Sequence, residues 1–364
     1  MANDTLTGHA IPHQSSGETG LLAHVEGTLA DFLATQIATL DAVDPALGGF
    51  ARIARDLVLG GGKRLRPTFA YWGWRGLADP AEPLEPVLPA LASLELMHTF
   101  ALVHDDVMDE SATRRGAPTA HRIFAAQHDR DQRRGDADRF GSTSAILLGD
   151  LCLVWADQLM ARSALAPTTL FAVRARYDRM RVETVAGQYL DVLGEAQPDA
   201  WTLERALLVA RYKTASYTVQ RPLQFGLTLA GAEARSEVDA AYARYGTRVG
   251  EAFQLRDDLL GVYGDPMVTG KPAGDDLRTG KPTALLMLAR RLATPAQLAE
   301  LTAPDRPIPH IASVIQETGA PERVESLIRR RVDEGLEALQ DAPIHPDART
   351  ALTHLAVAAT QRPA

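Results

Sequence analysis

The chain lacks several features that mark particular classes of protein. Its 364 residues include a single cysteine, Cys152, which excludes an internal disulfide and fits a reducing, cytoplasmic setting. Alternating β-branched runs and hairpin dipeptides are almost absent, which argues against a sheet-based fold. The net charge of -8 argues against nucleic acid as the main partner. No run reaches the roughly 18 apolar residues of a membrane span, so we expect no transmembrane segment.

Helical periodicity is what the sequence has instead. An apolar stripe begins at Leu22, and further helical patterns cover about 170–192, 202–231 and the chain from Thr283 onward. Residues 1–20 are polar and lack the pattern of a secretory signal, so we predict a disordered N-terminal tail. The densely charged stretch 127–141 is predicted to be an exposed insertion. Residues 21–364 are therefore predicted to form a single all-α domain.

Three carboxylates stand at the end of one apolar helical segment, in Ala101-Leu-Val-His-Asp-Asp-Val-Met-Asp-Glu110. Asp105 and Asp109 are four residues apart, so on a helix they share one face, with Asp106 beside them. Carboxylates this close repel one another, and a hard cation such as Mg²⁺ relieves that repulsion. The apolar segment before them predicts a substrate with an anionic head and a hydrocarbon tail. The alternative is a solvated acidic pair at a helix end.

A second acidic cluster favours the metal site over that alternative. Phe253-Gln-Leu-Arg-Asp-Asp-Leu-Leu-Gly261 places Asp257 and Asp258 late in another helix. Two helices that present acids across a bundle interior are a recurrent way to build a metal site.

Clustered cations near both ends of this region point to phosphate. Gly60-Gly-Gly-Lys-Arg-Leu-Arg-Pro67 combines a glycine turn with Lys63 and Arg66 at the start of a helix, a combination that suits a phosphate. Arg114 and Arg115 follow the first acidic cluster, and arginine forks match phosphate oxygens. An ordinary charged turn is the alternative for the glycine segment, and the second cationic pair makes it the weaker one.

Further candidates lie near these motifs. His98 is seven residues before Asp105 and shares nearly the same helix face, so we favour a ligand role over a structural one. Lys213 and Thr214 stand among apolar neighbours in Tyr212-Lys-Thr-Ala-Ser-Tyr217, and buried lysines usually have an anionic partner. The long polar loop from Gly264 to Pro282 carries Lys271 and Lys281, and such a loop is usually functional.

Taken together, these motifs resemble those of the trans-isoprenyl diphosphate synthases of the polyprenyl synthetase family, in particular the bacterial geranylgeranyl diphosphate synthases. The resemblance covers roughly residues 25–355 and rests on Gly-Gly-Lys-Arg-Leu-Arg-Pro, Asp-Asp-Val-Met-Asp, Arg-Arg-Gly-Ala-Pro-Thr, Tyr-Lys-Thr-Ala, Phe-Gln-Leu-Arg-Asp-Asp and the Gly-Lys-Pro loop. It implies a helical bundle around a deep apolar pocket, usually as a homodimer. It also implies that an allylic diphosphate ionises and alkylates isopentenyl diphosphate to give a short all-trans prenyl diphosphate.

The resemblance also implies a role for each matching residue. Mg²⁺ on the allylic diphosphate is held by Asp105 and Asp109, with Asp106 assisting, and by Asp257. The allylic diphosphate contacts Arg114, Lys213, Lys271 and Lys281, and Thr214 and Gln254 lie near the developing cation. Isopentenyl diphosphate is bound by Lys63, Arg66, His98 and Arg115. No side-chain base is evident, and in this family the departing diphosphate commonly takes the proton.

Product length is the finer prediction, and geranylgeranyl diphosphate is favoured over farnesyl diphosphate. Ala101, one turn before Asp105, is small and leaves a path for the growing tail. Phe100 matches a family position where an aromatic ring limits chain length, and helix spacing places it to the side of that path. The first acidic motif also lacks the two-residue insertion of resembling bacterial farnesyl-forming enzymes.

One departure and three alternatives stay open. Many members end the second acidic motif with an Asp where this chain has Gly261, so we expect a weaker outer contact there. A class I terpene cyclase would lack the Gly-Gly-Lys-Arg-Leu-Arg-Pro cations and would need an Asn/Asp-Ser-Glu type motif. A non-catalytic partner subunit would have lost acids, and a helical scaffold would not need cations aimed at buried acids.

Overall fold

The computed structural model describes residues 16–231, 235–265, 274–303 and 306–361, and these ranges are almost entirely helical. In chain order the elements are α1 (Ser16–Asp41), α2 (Pro45–Leu59), α3 (Leu65–Arg75), α4 (Leu88–Met108), β1 (Thr113–Arg114), β2 (Ala117–Pro118), α5 (Ala120–Arg130), α6 (Ala137–Met160), α7 (Pro167–Ala196), a 3₁₀ turn (Pro198–Ala200), α8 (Leu203–Val209), a π-helical segment (Ala210–Gln220), α9 (Arg221–Leu229), α10 (Ser236–Tyr263), α11 (Asp275–Arg278), α12 (Ala284–Leu292), α13 (Pro295–Thr302), α14 (Ile308–Glu317), α15 (Ala320–Gln340) and α16 (Pro346–Thr360). The predicted all-α, single-domain architecture is confirmed.

The helix bounds differ from the sequence prediction at the N-terminus. Helix α1 begins at Ser16, inside the stretch predicted to be a disordered tail, and residues 1–15 lie outside the described ranges. Extending a helix by one turn adds one backbone hydrogen bond per residue, so a buried stripe that begins at Leu21 can carry its helix outward through polar residues. Apolar periodicity predicts the start of α1 too late, because the first turn of this helix has no apolar residues.

Long helices enclose the centre of the molecule. Helix α4 packs on α6, α1 and α3, and α10 packs on the π-helical segment and on α15. Cys152 lies in the core with its side chain fully buried, and burial raises the pKa of its thiol to about 12. The ends of α4 and α10 consequently meet around a central space.

Helix α6 is, in the described ranges, the one helix long and apolar enough to cross a membrane by length and composition. Its apolar window is 44% buried inside the protein, and the helix packs closely on α4 and α5. The side chains of α6 that remain exposed include Ile146, Leu147 and Val154.

The charged stretch 127–141 is mostly exposed, as predicted. It holds the end of α5, a short turn and the first residues of α6. Its charges pair locally, as in the 2.8 Å contact between Arg133 and Asp131. The stretch is therefore a connection between helices, and it lies apart from the cavity described next.

Candidate active site

A cavity of about 1680 Å³ opens between α4, α7, the π-helical segment and α10. It is larger than the roughly 300–1,000 Å³ of ordinary small-molecule pockets. Most of the predicted site residues line it: Lys63, Arg66, His98, Ala101, Asp105, Asp109, Arg114, Arg115, Lys213, Thr214, Gln254, Asp257 and Lys281. The structure thus brings both acidic motifs and both cationic groups to one space.

The first acidic motif lies at the C-terminal end of α4, where Asp109 is the capping residue. Asp105 accepts a hydrogen bond from Lys213 Nζ at 2.8 Å and lies 3.3 Å from Arg114. Burial alone would raise the pKa of Asp105, but these cations outweigh it and hold the pKa well below its usual range. Asp105 is therefore an anion throughout the physiological range.

Asp106 has a different position from its two neighbours. Its side chain is buried and does not line the cavity. It accepts a hydrogen bond from Arg114 Nε at 2.8 Å. The predicted assisting role is thus directed at Arg114, which Asp106 holds towards the cavity from the short β1–β2 hairpin.

Lys213 and Lys281 converge on a carboxylate that the motifs did not include. Asp191 of α7 lies 2.5 Å from Lys213 Nζ and 3.0 Å from Lys281 Nζ. Lys281 also lies 3.2 Å from Asp109 and 3.6 Å from Glu195. These carboxylates raise the pKa of both lysines against the opposing effect of burial. The two lysines are consequently fixed cations beside the first acidic motif.

Sequence reasoning missed Asp191 and Glu195. In the structure Gly187 explains the contact, because a Cβ there would lie 2.3 Å from the backbone nitrogen of Lys213. α7 therefore approaches the π-helical segment closely at that point, and Asp191 is one turn further along the same face. Without the partner helix, one glycine and one acid on a long helix carry no such meaning.

The π-helical segment positions Thr214 next to α10. Its hydroxyl donates to Gln254 Oε1 at 2.6 Å, and Gln254 Nε2 donates to Asp258 Oδ1 at 2.8 Å. The backbone N–H of Ala284 donates to the other oxygen of Asp258 at 3.2 Å. Burial raises the pKa of Asp258 to about 7, with the neighbouring acids contributing. A chain of polar groups therefore fixes the two side chains that face the cavity, Thr214 and Gln254.

The second cationic group surrounds the turn between α2 and α3. Gly61 and Gly62 have φ angles of 86° and 139°, and a Cβ on Gly62 would lie 2.9 Å from the Arg115 guanidinium. Only glycine lets the backbone adopt this shape with an arginine so close. Arg115 donates a hydrogen bond to the Gly61 carbonyl, and Lys63 is exposed at the cavity mouth.

Arg66 and His98 form the deeper part of this group. The Arg66 guanidinium lies 4.0 Å from the centre of the Tyr217 ring and donates to Thr218 Oγ1 at 2.8 Å. Burial lowers the pKa of His98 well below its ordinary value, and the charges of Arg66 and Arg115 lower it further. His98 is therefore neutral near pH 7 beside a strongly positive surface.

Below this surface lies a buried ion pair that the motifs did not indicate. Arg64 adopts φ 47° at the N-cap of α3 and donates to Glu95 at 2.7 Å, with both side chains buried. Removing one partner of such a buried pair is strongly destabilising. The contact between Glu95 and Arg64 therefore stabilises the conformation of the turn that carries Lys63.

One predicted residue does not line the cavity, and another lies outside the described ranges. Phe100 does not line the cavity, and its ring packs edge-on against His104 with centroids 4.9 Å apart. Ala101 does line the cavity. Lys271 lies outside the described residues.

The donor chemistry of the site fits a hard cation. Asp105, Asp109 and Asp257 offer only carboxylate oxygens, the ligands that Mg²⁺ prefers. In the described ranges, no three acidic, histidine or cysteine side chains converge as a metal-ligand group. Ammonium groups of Lys213 and Lys281 lie among the carboxylates instead.

Comparisons with known proteins show the family to which the chain belongs. The Polyprenyl synthetase family model matches residues 49–313. The chain belongs to the polyprenyl synthetase family. It is 33% identical over 295 residues to the geranylfarnesyl diphosphate synthase of Aeropyrum pernix, an alignment that covers 79% of this chain and 86% of that one. It is also 33% identical to the geranylgeranyl diphosphate synthase of Mycobacterium tuberculosis, over 70% of this chain and 69% of that one.

Solved structures of polyprenyl synthetase family members share the fold. The geranylgeranyl pyrophosphate synthase of Corynebacterium glutamicum, crystallised with isoprenyl diphosphate and magnesium, matches with a TM-score of 0.89 and 40% identity, covering 94% of this chain and 99% of that one. The family and fold that the motifs predicted are therefore confirmed.

Proposed function

We propose that this chain is a Mg²⁺-dependent trans-prenyltransferase that condenses an allylic diphosphate with isopentenyl diphosphate and releases geranylgeranyl diphosphate. The observation that carries the proposal is the convergence of two acidic motifs, two lysines and two arginine-containing turns on one large cavity with an apolar wall. A terpene cyclase would use the acids but has no need of the cations around Lys63 and Arg66.

The allylic diphosphate binds between the first acidic motif and the lysines. Lys213, Lys281 and Arg114 are held there by carboxylates and are positive at any physiological pH. As the bond between carbon and oxygen breaks, the leaving diphosphate gains negative charge, which fixed cations stabilise without reorganisation. The Thr214 hydroxyl and the Gln254 amide carbonyl place dipoles near the allylic carbon, and apolar neighbours exclude water from the carbocation.

Asp105, Asp109 and Asp257 would hold Mg²⁺, and Asp106 supports them by orienting Arg114. When bound there, Mg²⁺ would supply positive charge that neutralises the diphosphate as a leaving group. The related Corynebacterium glutamicum enzyme forms crystals with isoprenyl diphosphate and magnesium, which supports this choice of metal.

Isopentenyl diphosphate binds at the second cationic group, through Lys63, Arg66, Arg115 and neutral His98. Its terminal double bond attacks the allylic carbon, and the resulting cation loses a proton from the adjacent carbon to form a new trans double bond. The proton passes to the departing diphosphate.

The proposed product has about twenty carbons, and a cavity larger than an ordinary pocket accommodates such a tail. Small Ala101 lines the wall one turn before Asp105 and leaves the path along α4 open. The role of Phe100 in product length stays a prediction, since its ring lies behind the wall against His104.

A homodimer in the cytoplasm completes the proposal. Helices α6 and α7 expose apolar side chains, among them Leu147, Val182 and Val185 at 56%, 69% and 58% exposure. Exposed apolar side chains on two neighbouring elements of the chain are typical of protein interfaces, and a second copy of the same helices would cover them. Light scattering of the purified protein measures its molar mass and therefore distinguishes a dimer from a monomer.

The experiment that tests the function is Asp105→Ala. We expect turnover of labelled isopentenyl diphosphate to fall by at least about 100-fold at saturating Mg²⁺, because charge stabilisation of the leaving group is lost. Asp31→Ala, at an exposed acid of α1, is the matched control. Near-parental turnover of Asp105→Ala, with unchanged helical circular dichroism, would exclude the assigned role.

A further inference from the structure

Gly261 leaves a space at the end of the second acidic motif, and Asp276 fills it. Position 261 lies one turn after Asp257 on α10, so the two positions share a face. A Cβ on Gly261 would lie 2.4 Å from Asp276 Oδ2 and 3.1 Å from its Cγ. The Asp276 carboxylate therefore stands where a side chain at position 261 would begin.

Backbone contacts hold Asp276 in this place. The N–H of Gly274 donates to the Gly261 carbonyl at 2.9 Å, which joins the start of the returning chain to α10. The N–H of Lys281 donates to the Asp276 carbonyl, also at 2.9 Å. Asp276 thus lies between the second acidic motif and the lysine that contacts Asp109, and its side chain lines the same cavity as Asp257.

We propose that Asp276 supplies, from α11, the carboxylate that the second acidic motif lacks at position 261, and that it supports Mg²⁺ binding together with Asp257. The proposal rests on the proposed function of the site. The motif is then completed in space by an acid fifteen residues further along the chain. Glycine at 261 becomes a requirement of the arrangement, because any larger residue there would push the Asp276 carboxylate aside.

The test measures Mg²⁺ binding without turnover. Mg²⁺ is titrated by calorimetry into the protein saturated with a thio analogue of an allylic diphosphate, which does not ionise. Asp276→Asn should weaken Mg²⁺ binding roughly 10-fold, the usual effect of losing a carboxylate that supports metal ligands. Gly261→Asp in an Asp276→Ala background should restore most of the loss, because it returns a carboxylate to the same space.

The matched control is Gly261→Asn in the same Asp276→Ala background, which has nearly the same shape but no charge. Rescue by Asp and not by Asn supports the proposal. Equal rescue by both would overturn it in favour of space filling, and parental Mg²⁺ affinity in Asp276→Asn would overturn it outright.

Asp105→Ala in the same titration separates the inference about Asp276 from the proposed function of the site. If it abolishes Mg²⁺ binding while Asp276→Asn does not, only the inference about Asp276 fails; if neither changes binding, the proposed metal site itself fails.

Discussion

Ala101 and Phe100 are neighbours in the sequence but have different surroundings. Ala101 lines the cavity, whereas Phe100 packs against His104 on another side of α4. Helix spacing predicted that the two would point in different directions. His104 is four residues after Phe100 on the same helix, so the same spacing also brings these two side chains together.

This difference gives a prediction for product length. Ala101→Phe adds a ring directly to the cavity wall, so the main product should become shorter by at least one isoprene unit. Phe100→Ala should lengthen the product less strongly, by letting the wall relax into the space beside His104. Chromatography of dephosphorylated products measures both. An unchanged distribution of product lengths for Ala101→Phe would show that the growing tail does not run along this face of α4.

The acids of α7 illustrate what residue patterns leave undetermined. The acids of the two motifs were predictable because carboxylates that stand next to one another or one turn apart repel one another and need a cation. Asp191 and Glu195 are also four residues apart, but no third acid stands beside them as Asp106 does beside Asp105. What distinguishes Asp191 is contact with Lys213 and Lys281, which come from two distant segments.

At the scale of elements, helix positions followed from apolar periodicity, while their local geometry did not. The predicted helix over about 202–231 is observed as α8, the π-helical segment and α9. A π-helical bonding pattern has no separate sequence signal, since its side-chain spacing resembles that of an α-helix over one or two turns. The structure places both Lys213 and Thr214 of this segment on the cavity.

Two elements carry the two cationic groups, so their substitution should separate the substrates. Lys63 stands on the turn between α2 and α3, and Arg114 on the β1–β2 hairpin. Lys63→Ala should raise the KM for isopentenyl diphosphate about 10-fold or more, the value of a hydrogen bond to a charged group. Arg114→Ala should act mainly on turnover or on the KM of the allylic substrate. Initial-rate kinetics with each substrate varied in turn decide this. Equal effects of both variants on both substrates would contradict two separate sites.

At the scale of the whole molecule, His98 links stability to pH. Burial lowers its pKa in the folded protein, with the charges of Arg66 and Arg115 adding to the effect. Below about pH 6.5 the unfolded chain therefore binds a proton that the folded chain does not. Stability is consequently full above that pH and falls as the pH decreases, by at most about 1.4 kcal/mol per pH unit for one proton.

Replacing His98 by Gln should remove this dependence. The comparison runs from about pH 6.5, the ordinary pKa of histidine, down to about pH 5.5. Over this range the free energy of unfolding of His98→Gln should fall less steeply than that of the parent. Urea unfolding at each pH measures the two slopes, and His24→Gln, at an exposed histidine of α1, is the matched control. If His98→Gln and the parent have the same slope, His98 is not held neutral by its surroundings.

The whole cavity is expected to make one product of defined length from two diphosphates. The most direct measurement supplies the purified protein with Mg²⁺, labelled isopentenyl diphosphate and each allylic primer in turn, and then determines the chain length of the products. We predict that geranylgeranyl diphosphate accumulates from every accepted primer and that chelation of the metal stops its formation. Farnesyl diphosphate as the end product would contradict the assigned length, and cyclised hydrocarbons or no condensation at all would contradict the assigned reaction.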